Sequence, residues 1–428
     1  MYFIFATLRI LAVYRHYWPD ATPYARLLKA ILEEQVREGH QVDVYCSQPG
    51  YNDIQISRQT SKEMINGVSV NRISLLPERK GWRLMRLVNS VLFLARAVWH
   101  ATVRRRYDLL IANTHPPVLI GFALRIIKRL SGAEFILHAQ DIHPEGALLA
   151  GDLKSSGLSK LAMAIDAKSC NAALRVVTLS EDMRRTLLDR KGSSASKIVV
   201  LNNFALESEH SQADSIDRDE SPVFRMLFAG NLGRFQSLER LLNAIQHVPQ
   251  SVPLELTFMG TGSQLRELRR LAAEQGGARV HFEPFQTPDA AIARMRRADL
   301  CIVSLAAEVY RIAYPSKTMT YLAAGCPLLT VVEPESQLAG EVRQNELGYV
   351  PTSTSPGDIA KCIEFAWLDR KRWSSAERAE LTLRGEMLFG KEQALLTWNR
   401  LIHQCAQELG VAAQSLGALP TQIERQAA

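Results

Sequence analysis

Along the first half of the chain, short apolar runs alternate with stretches in which apolar residues return every three or four positions. The runs at 8–14, 41–46, 68–76, 109–112, 134–138, 175–179 and 198–201 predict strands, and the 3.6-residue spacing predicts helices over 24–38, 118–130, 158–173 and 181–190. Short connections between them indicate a parallel sheet covered on both faces. The segment 207–222 breaks the rhythm with six acidic residues, four serines and one arginine, and reads as a linker. Alternation then restarts, with strands predicted at 226–229, 254–259, 280–282, 300–305 and 328–332. Thr287-Pro288 supplies an N-cap and a first-turn proline for one of the intervening helices. From about Lys371 the pattern is helical, and the tail after Gly410 is polar. The expected organisation is α/β: two doubly wound Rossmann-like lobes, residues 1–206 and 223–390, facing a central cleft, then a C-terminal helix packing back and a polar tail over 391–428.

Size and composition agree with two lobes. A chain of 428 residues, 47% hydrophobic and 22% charged, exceeds one comfortable core and is far from a disordered composition. Its six cysteines lack the C-x-x-C pairs and framework spacing that zinc sites or secreted disulfide scaffolds show. The apolar opening has no basic n-region, so no cleavable signal is read there. Scattered cysteines of this kind suit a reducing cytosol, so a cytoplasmic placement is expected, and no segment is long and apolar enough to span a bilayer. Residues 79–106 hold eight Arg or Lys and no acid, with Trp82, Leu87, Val91, Leu94, Val98 and Trp99 available for one apolar face. Together with a net charge of +7, this is the composition of a helix lying in the interface of an anionic membrane, on the inner face of the plasma membrane. A core helix with a solvated basic face is the alternative.

Two strand-to-helix junctions carry the candidate chemistry. In FAGNLGRFQSLE, Gly230 and Gly233 let the backbone approach an anion beside Arg234, and Leu238, Leu241, Leu242 and Ile245 mark the helix that follows. In YPSKTMTYLAAGCPLL, Pro315 and Ser316 suit a helix start, and Lys317 adds an ammonium there. Either segment alone could be an ordinary turn with a solvated cation; two of them point to phosphate. Gly260-Thr261-Gly262-Ser263 opens like a dinucleotide fingerprint, but Leu265 replaces the third glycine, so nicotinamide binding is not expected.

At these residues the chain resembles the family-4 retaining glycosyltransferases of GT-B fold, most closely their bacterial fucosaminyl- and colanic-acid-type fucosyltransferase branch. RILAVYRHYWPD, REGHQVDVYCSQPGY, FILHAQDIHPE and ELGYVPTSTSPGDIA share the resemblance with FMGTGSQLREL and the two junctions. The resemblance implies a nucleotide-sugar site in the second lobe. Asn231, Gly233, Arg234 and Lys317 would meet the diphosphate, with Gly230, Gln236 and Ser316 beside them. Gly260, Gly262, Phe285 and Thr320 would lie near the nucleoside. It places His115 and His138 near the transferred sugar, with Asp141 and Glu145 orienting hydroxyls. Arg234 and Lys317 can stabilise the departing diphosphate, so neither metal nor other cofactor is expected. The acceptor would be a glycan or a polyprenyl diphosphate-linked glycan, and nucleic acid is not an expected partner.

The chain departs from that family in one respect. Two glutamates eight residues apart are usual around the PSK segment, but Ile312 and Thr320 stand at their places, with Glu308 nearby as a substitute for the first. Gln236 stands where many relatives carry lysine. A non-catalytic scaffold that kept the fold, or an epimerase acting on UDP-N-acetylglucosamine, are the alternatives to a transferase.

Overall fold

The computed structural model describes residues 7–20, 22–50, 57–78, 82–104, 106–151, 156–190, 192–205, 222–276 and 279–411. Of the expected linker at 207–222 all but Pro222 lies outside them, as do the polar tail beyond residue 411 and Arg79, Lys80 and Arg105 of the basic segment.

The first half runs β1 (Arg9–Val13), α1 (Pro23–Arg37), β2 (Gln41–Ser47), β3 (Lys62–Ile65), β4 (Val68–Ile73), α2 (Arg83–Trp99), β5 (Leu109–Asn113), α3 (Leu119–Ser131), β6 (Glu134–Ala139), α4 (Glu145–Leu149), α5 (Gly157–Ala172), β7 (Arg175–Thr178), α6 (Glu181–Leu188) and β8 (Ile198–Val200). Its strands form a sheet ordered β3-β4-β2-β1-β5-β6-β7-β8. Central β1 pairs in parallel with β2 and β5, Ala12 lying opposite Val44 and Ile111. Its residues Ile10–Val13 are fully buried, as a strand covered on both faces must be.

The alternation resumes with β9 (Phe224–Ala229), α7 (Glu239–Ile245), β10 (Leu254–Met259), α8 (Leu265–Glu274), β11 (Val280–Glu283), α9 (Pro288–Arg297), β12 (Leu300–Ser304), α10 (Lys317–Ala323), β13 (Leu328–Val331), α11 (Gln337–Gln344), β14 (Gly348–Tyr349), α12 (Pro356–Leu368), α13 (Ser375–Phe389) and α14 (Lys391–Glu408). This sheet is ordered β11-β10-β9-β12-β13-β14, and every pair in it is parallel. Thr287 caps α9 as its sequence predicts, its hydroxyl accepting from Ala290 N.

Among the described residues, one compact unit takes the chain up to His115, with Ala123–Ile136 and the chain from Leu395 to Val411; the other takes Pro116–Phe122 and the described part of Leu137–Ala394. In the first, α14 returns to α1, where Gln35 Nε2 donates to Asn399 Oδ1 at 2.7 Å.

Three local features differ from the pattern reading. Strand β3 is antiparallel to β4 and joined to it through Asn66-Gly67, both at positive φ (48° and 84°). Asn-Gly is a strong two-residue hairpin signal, but the strand before it, Lys-Glu-Met-Ile, is too polar to register as an apolar run. Strand β14, two residues long, leaves no periodicity to find. The third difference is α2. The helix forms, but of its expected apolar face only Leu94 is buried, Val98 is partly covered, and Trp82, Leu87, Val91 and Trp99 are exposed.

Candidate active site

Strand β9 ends at Ala229, and the chain turns sharply at Gly230 (φ 135°). The loop that follows is built on β10's loop. Leu232 N donates to Thr261 O (2.8 Å), and Gln264 N to Leu232 O (2.9 Å). A Cβ at Gly260 would lie 2.0 Å from Gly230 O, and one at Gly262 would lie 2.2 Å from Leu232 O. Backbone against backbone is what demands these two glycines, expected above near the nucleoside; no side chain fits between the loops.

After Gly233 the chain makes a single 3₁₀ turn, Arg234–Gln236, and α7 begins only at Glu239. Arg234 therefore stands ahead of the helix rather than in its first turn. Gly233 N–H, one of the amides expected to meet phosphate, already donates to Gln236 Oε1 at 3.0 Å. Gln236 thus closes the turn, and Ser304 Oγ, at the end of β12, holds it by donating to Gln236 O at 2.6 Å. The Arg234 side chain is exposed, and its Nη1 donates to Ala150 O at 3.3 Å. Asn231 is also exposed, with its Nδ2 folded over Gly233, 2.8 Å from where a Cβ would stand.

The second junction is of another kind. Ser316 precedes α10 in a helical conformation (φ −58°, ψ −21°), and its side chain makes no capping bond, contrary to the expectation for a serine at that position. Lys317 does not reach into water either. Part of the residue is accessible, but its Nζ is not, and that atom has no hydrogen-bond partner. It lies 3.6 Å from the centroid of the Phe228 ring and packs against Gly230, where a Cβ would stand 3.5 Å away. Burial lowers its pKa to about 7, because an ammonium without water or counter-charge is disfavoured. One turn on, Tyr321 is buried and clamps the end of β9: its OH donates to Ala229 O (3.1 Å) and accepts from Ala229 N (2.8 Å). Phe228 and Tyr321 carry no sequence signal of a site, because apolar residues in a strand and a helix read as core. Thr320 is partly buried and Phe285 exposed. Glu308, the suggested substitute glutamate, sits at positive φ (65°) and accepts from Arg311 Nη1 at 2.9 Å.

Of the residues expected near the sugar, His138, the last residue but one of β6, is almost wholly buried. Gln140 Nε2 donates to its Nε2 at 2.8 Å, and Gln140 also exchanges bonds with Asn203. Burial pushes its pKa down to about 3, so the ring is neutral near pH 7. Gln140 and Asn203, which fix that ring, carry no sequence signal of their own. Asp141 is exposed and forms an antiparallel bridge with Ala313, while Ile142 N donates to Ile312 O at 2.9 Å. The loop of His138 is thereby tied to the segment that leads into α10.

Glu145 departs from its expected role. Both of its oxygens accept from Arg190, at 2.9 and 2.6 Å, and Arg190 also binds Asp166 (2.6 Å) and His143 O (2.7 Å). It is the partner of a buried guanidinium rather than a group free to hold sugar hydroxyls. In the other unit, His115 is exposed, its N–H donating to Asn113 Oδ1 at 3.1 Å. Its ring lies 6.0 Å from that of His16, whose Nδ1 is 2.7 Å from the buried Asp20 carboxylate.

Residues 10–203 match the glycosyl transferase 4-like domain and residues 213–380 the glycosyl transferases group 1 domain. The colanic acid biosynthesis glycosyl transferase WcaI of Escherichia coli (strain K12) is 25% identical over 374 residues, covering 83% of this chain and 88% of its own. Among solved structures, a sucrose-phosphate synthase from Thermosynechococcus elongatus superposes with a TM-score of 0.71 at 17% identity, covering 94% of this chain and all of its own. HepE of Anabaena, solved in complex with UDP, gives 0.64 at 15% identity with the same coverage. With the two glycosyltransferase domain models matched in tandem over most of the chain, on two α/β lobes, the chain belongs to the glycosyltransferases of GT-B fold.

Proposed function

We propose that this glycosyltransferase is a retaining enzyme. It moves a hexose or amino-deoxyhexose from a UDP- or GDP-linked donor to a glycan, carried on polyprenyl diphosphate at the inner face of the plasma membrane, in surface-polysaccharide assembly. The observation that carries the reading is Lys317: a buried ammonium held over the Phe228 ring without hydrogen-bond partner or counter-charge, beside the turn at Gly230. Such a group is costly in the empty protein and is relieved by a ligand that brings negative charge to the end of β9. A nucleoside diphosphate does so. The colanic acid relative supports the pathway class, and the UDP complex of HepE supports the donor class.

In the proposed reaction the bond between the anomeric carbon and the diphosphate oxygen breaks, and its electron pair stays on the diphosphate. The acceptor oxygen bonds to the anomeric carbon on the same face, and its proton passes to a phosphate oxygen. Lys317 and Arg234 stabilise the charge that develops on the leaving group, with no metal required. Neutral His138, held by Gln140 and Asn203, positions the sugar by hydrogen bonding and is not the base.

A thermal-shift screen against UDP-, GDP-, ADP- and dTDP-sugars tests the donor, since a ligand bound only by the native state raises its melting temperature. Nucleotide release in the presence and absence of membrane extract tests the reaction. Release that requires acceptor supports transfer; release without it points to an epimerase, and no release with any donor to a scaffold. The anomeric configuration of the product, read by NMR, decides retention.

A further inference from the structure

Helix α2 is built inside out. Its inward side carries Asn89, Ser90 and His100 beside Phe93, Leu94 and Ala97. Asn89 brackets Leu76, accepting from its N–H (3.1 Å) and donating to its C=O (2.9 Å), and also donates to Glu78 Oε1 at 2.7 Å. His100 Nε2 lies 3.0 Å from Tyr107 OH, which donates to Asp43 Oδ2 at 2.7 Å. These bonds fix the rotation of the helix, since turning its apolar side inward would strand every one of them in a buried environment.

The outward side is consequently apolar. At about 100° per residue, Leu84, Val88, Val91 and Ala95 fall within an arc of about 60°, and Leu87 and Trp99 extend it on either side. All six are exposed, Leu84 to 75%, Val91 to 53% and Trp99 to 61%. Val103, one turn further, is 59% exposed, and Trp82 stands just ahead of the helix at 53%. A continuous stripe of this kind, with tryptophan at both ends, is not ordinary scattered surface apolarity.

We infer that α2 docks on an anionic lipid bilayer by inserting this stripe among the headgroups, with Arg96 at its flank. Charge decides between lipid and a second copy of the chain. Arg96 is exposed at the edge of the stripe, about 60° beyond Trp99, Arg86 is exposed on the first turns away from it, and the sequence from 79 to 107 contains no acid, so a two-fold contact through this face would set like charges together. Anionic headgroups complement them, and tryptophan suits the boundary between acyl chain and water. Apolar insertion supplies most of the affinity and the arginines a salt-sensitive remainder.

The inference deepens the proposed membrane-carried acceptor, but its test is independent of catalysis. The full-length protein is sedimented with vesicles of phosphatidylcholine, alone or with phosphatidylglycerol, at low and high salt. The wild type is expected on the mixed vesicles, retaining most of its binding at high salt. L87E/V91E should lower the bound fraction about tenfold or more, and R86Q/R96Q only a few-fold, chiefly at low salt. Unchanged melting temperatures show that the variants fold. Failure of the wild type to bind either vesicle overturns the inference, as does binding that L87E/V91E leaves intact or that salt alone abolishes. A lipid-free dimer dissociated by L87E/V91E also overturns it, in favour of a second copy. A thermal shift with UDP or GDP on the same samples reports the donor site separately, so docking and the proposed function can fail independently.

Discussion

The two βα junctions that look alike in sequence are physically opposite. At the first, Arg234 is exposed, has found a carbonyl, and follows a loop whose amide at Gly233 is already satisfied by Gln236. At the second, Lys317 Nζ is sealed over the Phe228 ring with no hydrogen-bond partner. A charge–charge interaction is several-fold stronger in a desolvated setting than at a wet surface. Two cations of equal formal charge are therefore unequal as tools: Lys317 is poised for an anion, whereas Arg234 already donates to the Ala150 carbonyl.

The largest effect that tests this contrast is on turnover. K317A should lower kcat/KM by on the order of 100-fold or more, and R234A by clearly less; steady-state kinetics giving the reverse order would break the comparison. For stability the order inverts. K317M removes a buried unpaired ammonium and should leave the melting temperature unchanged or raise it, while R234A should hardly move it.

Next in size is the close approach of the two loops. G262A places a methyl on the Leu232 backbone and should cost several degrees of melting temperature, with calorimetry as the measurement. The same substitution at Gly276, whose Cβ would meet nothing within 4 Å but whose φ is +86°, should cost less.

The pH dependence gives a finer test. Because the folded pKa of Lys317 lies near 7 and that of an unfolded lysine near 10.4, the unfolded chain binds more protons between these values. Its contribution to stability therefore rises with pH through that window, by at most about 1.4 kcal/mol per pH unit, and is lowest below it. Chemical denaturation of wild type against K317M should show a slope difference of that sign. Donor affinity should run the other way, falling as pH rises above about 7, and K317M should lose that dependence. His138, with a folded pKa near 3, should make the protein less stable as pH falls from about 6.5, and H138Q should reduce that loss.

The smallest expected effect concerns the closed turn. Q236A frees the Gly233 amide and should change donor affinity only a few-fold, because one neutral hydrogen bond contributes about 1 kcal/mol.

Much of the fold was legible from pattern alone. Nearly every strand was located because a buried parallel strand must be apolar throughout, and Thr287-Pro288 marked its helix because a cap is a local event. The hairpin at Asn66-Gly67 is equally local, and only the polarity of Lys62–Ile65 hides its first strand. The site was legible as a set of residue types at two junctions, but not as a set of states. Which amide is free, which carboxylate is taken by Arg190, and whether a lysine is wet all depend on partners distant in sequence.

The same division explains α2. Its basic, acid-free composition and apolar periodicity belong to the sequence, which therefore determined that a one-signed amphipathic helix would form. Tertiary structure alone decided which side faces out, because Asn89 and His100 are held by Leu76, Glu78 and Tyr107. Periodicity reports that a helix has two faces, whereas burial of either is settled by the whole set of polar groups that must find partners when the chain closes.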